Sequence, residues 1–312
     1  MKPSALTIGK FDGVHAGHAR LLRETIAAAA ERGLEPSALT FDPHPAFVVA
    51  PERAPQPLTS LDERRMLMRE LGIKRIFVLR FTGEVARLSP EEFVARYVRG
   101  EMNARVVATG ENFRFGHQQA GDVRVLAELG QRYGFETRVI APVMRRGVLV
   151  STSGIRALLG SGAVARAARL LERPYAISGE VVRGFGIGAK QTVPTLNLRP
   201  PAEVLPLNGV YITRTEDCEN RRRWNSITNI GFRPTFGGED LSIETYLLDA
   251  LGSPAPTRIR VEFLRRVREE RKFDTPELLK RQIGSDVGRA QAFFRRLAKW
   301  TRPALEYAGD VH

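Results

Sequence analysis

The chain has 312 residues, 43% of them hydrophobic, which is typical of a globular protein with room for two domains. It shows no apolar run long enough for a membrane helix and no signal-peptide pattern, and its single cysteine, Cys218, excludes an internal disulfide and a cysteine-based metal site. The net charge of +13 is spread evenly along the chain, which favours anionic small molecules over nucleic acid, and we expect a cytoplasmic protein without a membrane partner.

The first predicted element is a strand at 5–8, and it leads into a turn whose residues favour phosphate binding. The turn reads Gly9-Lys10-Phe11-Asp12-Gly13-Val14-His15-Ala16-Gly17-His18, and a stretch with helical character follows it. A helix N-terminus offers unpaired N–H groups to phosphate, Gly17 permits close approach, and His15 and His18 can donate hydrogen bonds to developing charge. The spacing matches neither the dinucleotide fingerprint nor the P-loop. The alternative is an ordinary strand-to-helix turn with solvent-facing histidines.

Four further β-rich runs alternate with helical stretches up to about residue 172, at 37–41, 75–79, 105–108 and 137–140. Ser60-x-x-Glu63 and Ser89-x-x-Glu92 are typical of capping boxes that open helices. This alternation predicts an α/β domain with a doubly wound parallel sheet, helices on both faces and ligands at the carboxyl ends of the strands. One or two helices are expected between 154 and 171.

Three more segments in this half carry candidate binding chemistry. Phe41-Asp42-Pro43-His44-Pro45 follows the second strand, and the loop 110–116 follows the fourth. In that loop, Asn112 and the aromatic residues either form a pocket for a flat ring or pack as a simple turn. Three residues with hydroxyl groups lie at the start of a predicted helix, and Arg156 follows within its first turn. This pattern favours a phosphate-binding site, and simple N-capping by a hydroxyl is the alternative. The hydroxyls belong to Ser151, Thr152 and Ser153.

The pattern changes at about 172–175, where short alternating runs separated by Gly, Pro and Asn begin. Runs at 177–182, 209–213, 242–247 and 258–263 predict an antiparallel β-barrel. A final helix is expected from Pro276 to about Ala298. We therefore predict two domains, 1–172 and 173–312. The densest basic run, Arg221-Arg222-Arg223, is interpreted as a solvated loop.

The barrel half contains a second set of candidate site residues. A Gly loop with Gly184, Gly186, Gly188 and Lys190 follows its first strand. Thr195 and Asn197 are two residues apart, so they share one strand face, either as oxygen ligands for Mg²⁺ or as an ordinary polar surface. Glu244 lies on the same strand face as Ser242 and Tyr246, which by itself indicates exposure to solvent. However, the only histidine of this half is His312, so a base acting here has to be a carboxylate or water.

The motifs of the first half resemble those of the bacterial bifunctional riboflavin kinase/FAD synthetases, within the nucleotidylyltransferase superfamily. The resemblance rests on Gly9–His18, Thr40–Pro45, Gly110–Gly116 and Val150–Arg156, with Ser-Thr-Ser where the family has Ser-Ser-Thr. It implies transfer of AMP from ATP to FMN, with release of pyrophosphate and formation of FAD. The implied catalytic residues are His15, His18 and Arg156. The implied ATP contacts are Gly9, Phe11, Gly17, Ser151, Thr152 and Ser153, and the implied flavin contacts are Asn112 and Phe113.

The second half resembles the flavokinase barrel of the same family. The resemblance rests on Pro194-Thr195-Leu196-Asn197, on Asn229-Ile230-Gly231-Phe232-Arg233-Pro234-Thr235-Phe236 and on Glu244 eight residues later. It implies phosphorylation of riboflavin to FMN by ATP, with Glu244 catalytic and with Mg²⁺ held by Thr195 and Asn197. The implied flavin contacts are Asn229 and Arg233, and the Gly loop with Lys190 would bind ATP. Thr192-Val193 and Leu196 replace the Gly-Phe and Ala of the family pattern.

Two alternatives stay open at this point. Because of those replacements, the barrel could bind flavin without kinase activity beside an active adenylyltransferase. A basic RNA-binding protein is the alternative from another class, although the barrel half has no Lys/Arg-Gly-Phe motif of the RNP type. The implied partners are riboflavin, FMN and ATP, with no nucleic acid, and the sequence leaves the oligomeric state undefined.

Overall fold

The computed structural model describes residues 1–182, 195–235 and 238–301. Its contacts divide the chain into two compact units that interleave in sequence. The first unit contains Met1–Ala157, Arg169–Arg173 and Ala202–Val204, and the second contains Leu158–Ala168, Pro174–Pro201 and the residues from Leu205 onward. The domain boundary at 172/173 stays a prediction, because short segments on both sides of it belong to the opposite unit.

The first unit is built on a five-stranded parallel sheet, as predicted. Its strands are β1 Ser4–Ile8, β2 Glu35–Asp42, β3 Arg75–Arg80, β4 Ala104–Gly110 and β5 Glu136–Ile140, in the order β3-β2-β1-β4-β5. A separate antiparallel hairpin follows, with β6 Met144–Arg145 and β7 Val148–Leu149. The chain places β2 and β3 on one side of β1, and β4 and β5 on the other. The switch point at which open α/β folds bind ligands therefore lies between β1 and β4.

Helices cover both faces of this sheet. The helices of this unit are α1 Ala16–Arg32, α2 Ala46–Val49, α3 Leu61–Glu70, α4 Gly83–Ala86, α5 Pro90–Phe93 and α6 Val123–Tyr133. Helix α7, Thr152–Gly160, begins in this unit and ends in the second, whereas α8, Val164–Leu171, begins in the second unit and ends in the first. A π-helical segment, Val94–Glu101, continues α5, and 3₁₀ turns lie at Pro51–Arg53 and His117–Gln119. Neighbouring β1 residues show the two faces: Ala5 packs with Ala28 and Ala29 of α1, whereas Leu6 packs in the cluster that contains Leu126 of α6.

The second unit is a closed antiparallel barrel with a terminal helix, which confirms the predicted fold. Its strands are β8 Tyr175–Val182, β9 Thr195–Leu198, β10 Gly209–Asp217, β11 Arg223–Thr235, β12 Gly238–Leu247 and β13 Arg258–Arg268, in the order β10-β11-β12-β9-β8-β13. Helix α9, Pro276–Thr301, has Phe293 and Phe294 against Ile212 and Ile227 of the barrel. Its buried Asp286 accepts a hydrogen bond from Arg268 Nε at 2.8 Å.

The barrel interior carries a chain of buried hydroxyl groups among its apolar side chains. Thr213 Oγ1 lies 2.8 Å from both Ser226 Oγ and Thr228 Oγ1. Thr215 also contacts Ser226 at 2.8 Å, and Thr245 contacts Thr228 at 3.0 Å. All five residues are fully buried, so each hydroxyl depends on its neighbours for hydrogen bonds.

The basic run 221–223, expected to be a solvated loop, is exposed at Arg221 and Arg223, and each of its three arginines also forms an ion pair. Arg221 and Arg223 both pair with the buried Glu216, and Arg222 pairs with the buried Asp217. Arg223 already belongs to strand β11. The charge of this run is therefore balanced locally by the preceding strand. In the part of the chain that the structure describes, no helix is long and apolar enough to cross a membrane.

A fragment that begins at Leu158 should be more stable than one that begins at Arg173. Residues 158–168 belong to the barrel unit, where the buried Leu159 accepts a hydrogen bond from Leu207 N at 2.9 Å. Loss of one such leucine costs roughly 1.5–3 kcal/mol. Urea unfolding of the two fragments measures the difference, and equal unfolding midpoints would contradict the assignment of this segment.

Candidate functional site

The candidate residues of the first unit follow the carboxyl ends of adjacent parallel strands. The loop Gly9–His15 follows β1, Pro43–Pro45 follows β2, and Glu111–Gly116 follows β4. Because β2 and β4 are the two neighbours of β1, these loops leave the sheet at the same edge. The sequence motifs therefore converge at the switch point, where the fold class binds its ligands.

The loop after β1 has an unusual backbone that its neighbours hold in place. Phe11, Gly13 and Val14 have positive φ values of 49°, 77° and 36°. Asp12 is buried, and its Oδ1 accepts hydrogen bonds from the backbone N–H groups of Leu58 and Thr59. Its other oxygen, Oδ2, accepts a hydrogen bond from Arg156. The geometry of the turn thus depends on the acidic side chain of Asp12, which was not among the predicted site residues.

The two histidines of the motif stack on each other at the start of α1. His15 is the N-cap, and its Nδ1 accepts a hydrogen bond from His18 N at 3.3 Å. The imidazole rings are 3.7 Å apart and nearly parallel, and Phe11 packs edge-on against His18. His18 Nδ1 is buried without a hydrogen-bond partner among the described residues, so a polar atom is available to a ligand here.

Both histidines are held in the neutral form. Burial, followed by the charge of Arg173, lowers the pKa of His15 from 6.5 to about 4. Burial also lowers the pKa of His18 well below 6.5, with further contributions from His15 and from nearby cations that include Lys10. Two neutral imidazoles can stack without charge repulsion, and each keeps one N–H donor at neutral pH.

Three arginines that surround this loop are fixed by specific contacts. Arg64 is buried, and its NH1 donates to Lys10 O at 2.9 Å and to Phe41 O at 3.2 Å, which ties the ends of β1 and β2 together. Arg156 donates from Nε to Gln56 O at 2.9 Å in addition to its contact with Asp12. Arg173 donates to the backbone carbonyls of the loop itself. Of these three, only Arg156 was predicted as a site residue.

His44 joins the same positively charged region from the end of β2. Burial lowers its pKa from 6.5 to about 4, and the charges of Lys10, Arg156 and Arg64 act in the same direction. Its Nδ1 accepts a hydrogen bond from Ala46 N at 3.1 Å. The cations of the β1 loop, α3 and α7 therefore act on a residue of the second motif, which places the two motifs in one electrostatic environment.

The predicted glycine and hydroxyl positions have clear local roles. A Cβ at Gly17 would lie 3.1 Å from His15 Cε1, and one at Gly9 would lie 3.1 Å from the ring of Phe11, so both glycines make room for the neighbouring rings. Ser151 Oγ caps α7 by accepting from Gly154 N at 3.2 Å. Thr152 and Ser153 form the first turn of α7, and Ser153 is exposed.

The loop after β4 has one exposed polar residue and one packed aromatic ring. Asn112 is exposed. Phe113 packs on the core cluster and stacks with Phe115 at 5.3 Å, as the packed-turn alternative also expects. The structure thus leaves Asn112 accessible at the ligand edge of the sheet and presents only part of the Phe113 ring.

The low pKa of His15 predicts a specific loss of stability in acid. His15 titrates near 6.5 in the unfolded chain and near about 4 in the folded one, so its stabilising effect is complete above pH 6.5 and is lost as the pH falls towards 4. Between pH 7 and pH 5, the free energy of unfolding of the unchanged protein should fall by roughly 2 kcal/mol more than that of His15→Asn, a variant that keeps a helix-capping acceptor. Urea unfolding at both pH values measures this, and equal losses would exclude the predicted shift.

In the barrel unit, the candidate residues form a row across three neighbouring strands. Glu244 of β12 pairs with Asn229 of β11 on one side and with Asn197 of β9 on the other. Their alternate neighbours Ile243 and Thr245 are buried in the barrel, whereas Glu244 is partly buried on the outer face. Thr195 lies two residues from Asn197 on that face. Glu244 is therefore flanked by two amides rather than surrounded by solvent alone.

The remaining contacts of this row define its chemistry. Ser242 Oγ donates a hydrogen bond to Glu244 Oε1 at 3.1 Å. Among the described residues, no group of three or more His, Cys, Asp or Glu side chains could hold a metal ion. The backbone of Arg233 continues β11, but its side chain lies outside the described part, as do Gly184, Gly186, Gly188 and Lys190.

A parallel sheet with candidate phosphate-binding residues at its switch point, and a barrel with a carboxylate between two amides, are features expected of a nucleotide-dependent transferase with two sites. Residues 1–154 match the family model described as FAD synthetase, and residues 171–294 match the one described as riboflavin kinase. A relative from Escherichia coli (strain K12), described as a bifunctional riboflavin kinase/FMN adenylyltransferase, is 33% identical over 93% of this chain and 92% of its own length. The chain belongs to the family of bifunctional riboflavin kinase/FMN adenylyltransferases.

Two further comparisons agree with this membership and with the fold. A relative of the same description from Bacillus subtilis (strain 168) is 32% identical over 95% of this chain and 94% of its own. The crystal structure of a Streptococcus pneumoniae protein described as a macrolide-efflux protein has a TM-score of 0.84 and 27% identity, and the similarity covers 93% of this chain and 95% of that one.

Proposed function

We propose that the barrel unit transfers the γ-phosphoryl group of ATP to riboflavin, forming FMN, and that the α/β unit transfers AMP from a second ATP to FMN. The second reaction forms FAD and releases pyrophosphate. The observation that carries this proposal is the separation of the two family matches. The FAD synthetase match lies within the first unit, and the riboflavin kinase match falls mainly on the second.

The α/β unit has the groups that adenylyl transfer needs. The attacking oxygen of FMN is already an anionic phosphate, so the reaction requires positioning and charge stabilisation rather than a strong base. We assign the neutral N–H groups of His15 and His18, together with Arg156, to the charge that develops on the triphosphate. The phosphate cradle consists of Gly9, Phe11, Gly17, Ser151, Thr152 and Ser153. The accessible Asn112 and the ring of Phe113 are assigned to the flavin.

The barrel unit has one carboxylate suited to activate a hydroxyl group. The 5′-hydroxyl of riboflavin is neutral, and a base that accepts its proton during attack on the γ-phosphorus accelerates the transfer. We assign this role to Glu244, whose orientation is fixed by Ser242. Asn229 and Arg233 are assigned to the flavin, and Gly184, Gly186, Gly188 and Lys190 to ATP.

The donor set beside Glu244 fits a magnesium ion that arrives with ATP. Thr195 and Asn197 offer a hydroxyl and an amide oxygen from one strand face, and Mg²⁺ prefers such hard ligands together with substrate phosphates. The ion would neutralise charge on the triphosphate. Thr195 and Asn197 would hold it next to the row that contains Glu244.

The experiment that tests this function is a flavin conversion assay with the full chain. Riboflavin, ATP and Mg²⁺ are incubated with the protein, and the flavins are separated by chromatography. We expect riboflavin to disappear, FMN to appear and FAD to accumulate, and we expect chelation of Mg²⁺ to stop FMN formation. Conversion of supplied FMN without conversion of riboflavin would instead support the kinase-inactive alternative.

A further inference from the structure

The turn before the histidine pair contains a residue in a backbone conformation that it would not adopt alone. Val14 is β-branched and buried, yet its φ is +36°. Left-handed backbone is disfavoured for a β-branched side chain, so this conformation persists only where the surroundings hold it. Val14 immediately precedes His15, the N-cap whose ring stacks on His18. The direction of both imidazoles therefore depends on this turn.

Arg173 holds this turn from a position about 160 residues further along the chain. Its NH2 donates to Gly13 O at 2.6 Å, and its NH1 donates to Val14 O at 3.0 Å. The same NH1 donates to Leu171 O at 3.1 Å, which anchors the guanidinium to its own segment. The guanidinium reaches these three carbonyls from two separate nitrogens, whereas lysine has all its donors on one nitrogen, and this distinguishes arginine from lysine here.

Other contacts fix the opposite side of the turn. Gly13 N donates to Thr59 Oγ1 at 3.0 Å, and a Cβ at Gly13 would lie 2.8 Å from Leu58 Cδ1. Gly13 is thus bonded through its N–H group to the segment that precedes α3 and through its carbonyl oxygen to Arg173. Without the guanidinium, the two carbonyls lose their donors and the turn is free to relax towards an unstrained φ.

We propose that Arg173 is a positioning residue for adenylyl transfer, which locks the Gly13–Val14 turn so that His15 and His18 face the triphosphate. This inference rests on the proposed function of the α/β unit. Arg173 lies beyond the residues that match FAD synthetase, 1–154, and inside those that match riboflavin kinase, 171–294. The segment assigned by similarity to one activity thereby supplies a residue that organises the site of the other.

The test uses full-length Arg173→Met, which keeps the length of the side chain and removes its donors. We expect kcat for FAD formation from FMN to fall at least 10-fold while KM for ATP and for FMN changes less than threefold, because the donors are misaligned and not removed. FMN formation from riboflavin by the same molecules should be unchanged. The kcat of Arg173→Lys for FAD formation should lie between those of the unchanged protein and Arg173→Met. Free guanidinium added to Arg173→Ala should partly restore its kcat.

Arg145→Met is the matched control, because Arg145 pairs with Glu172 beside Arg173 and is an exposed arginine outside the turn. It should form FAD at the normal rate. An unchanged kcat in Arg173→Met would overturn the proposal, as would an equal loss of both activities, which indicates a general role in folding. If the unchanged protein forms no FAD, the proposed function fails instead, so the two failures are distinguishable.

Discussion

Glu244→Gln is expected to abolish FMN formation while FAD formation from supplied FMN continues. Glutamine keeps the shape of the side chain and can still contact Ser242, but it cannot accept the proton of the riboflavin hydroxyl. Loss of a positioned base reduces the rate by roughly 10²–10⁴-fold. Initial rates of the two reactions, measured by flavin chromatography on one preparation, give the result. The second reaction serves as an internal measure of folding.

Glu180→Gln provides the matched control for this experiment. Glu180 is an exposed carboxylate of the same barrel, on β8, where it pairs with Arg199. Its removal should leave FMN formation within the error of the assay and change stability by no more than about 0.5 kcal/mol, as for an ordinary surface site. Normal kinase turnover in Glu244→Gln would refute the catalytic assignment. It would leave this residue as a polar surface group.

His18→Ala is expected to slow FAD formation from FMN by about 10²-fold, as for loss of a preorganised hydrogen-bond donor. His18 has its Nδ1 buried without a partner among the described residues and its ring stacked on His15, so alanine removes a polar ring atom that we assign to the ligand. FMN formation should persist, since it takes place in the other unit. Single-turnover rates with supplied FMN and ATP measure the effect on the chemical step.

An exposed histidine of the same unit tests whether this loss is specific. His117 lies in the 3₁₀ turn His117–Gln119, where its Nδ1 is 3.2 Å from Ala86 O. His117→Ala should form FAD at close to the normal rate. An equal decrease in both variants, or full activity in His18→Ala, would remove His18 from the proposed site.

The parallel sheet was predictable because its signals are local. Each of its five strands is a short β-rich run, and Ser89 and Glu92 form the reciprocal capping box that their spacing indicates. Ser60 caps α3 in the same way by accepting from Glu63 N. The convergence of the motifs also followed from sequence, because carboxyl ends of neighbouring parallel strands share one edge.

Strand β11 was harder to predict because its buried face is not apolar. Ser226 and Thr228 point into the barrel, where hydroxyl contacts replace the usual hydrophobic alternation. The strand also contains Gly231 and Pro234, which normally indicate a loop. Apolar and polar residues therefore do not alternate along this strand as they do in a typical half-buried strand, and only the motif Asn229–Phe236 was recognisable in the sequence.

The arginines that organise the first site could not be found from local pattern. Arg64 belongs to a helix with several charged residues, and nothing in the sequence distinguishes this buried arginine from the less buried Arg65 and Arg69 of the same helix. Arg173 acts on a turn about 160 residues away. Such contacts depend on the packed chain, whereas the motif residues His15, His18 and Arg156 carry recognisable spacing.

The hydrogen-bonded hydroxyl groups inside the barrel fix the register of β11 against β12, and that register also sets the spacing of the row that contains Glu244 on the outer face. A strand that slips by two residues keeps every side chain on its proper face, so a wholly aliphatic interior discriminates weakly against that error. Here such a slip between β11 and β12 would separate Thr228 from Thr245 and leave buried hydroxyls unmatched. It would also carry Glu244 about 7 Å along the strand, away from Asn229. The buried hydroxyls thus fix the register of the outer row, and a barrel with an aliphatic interior would lose this control over the spacing that the proposed phosphoryl transfer requires.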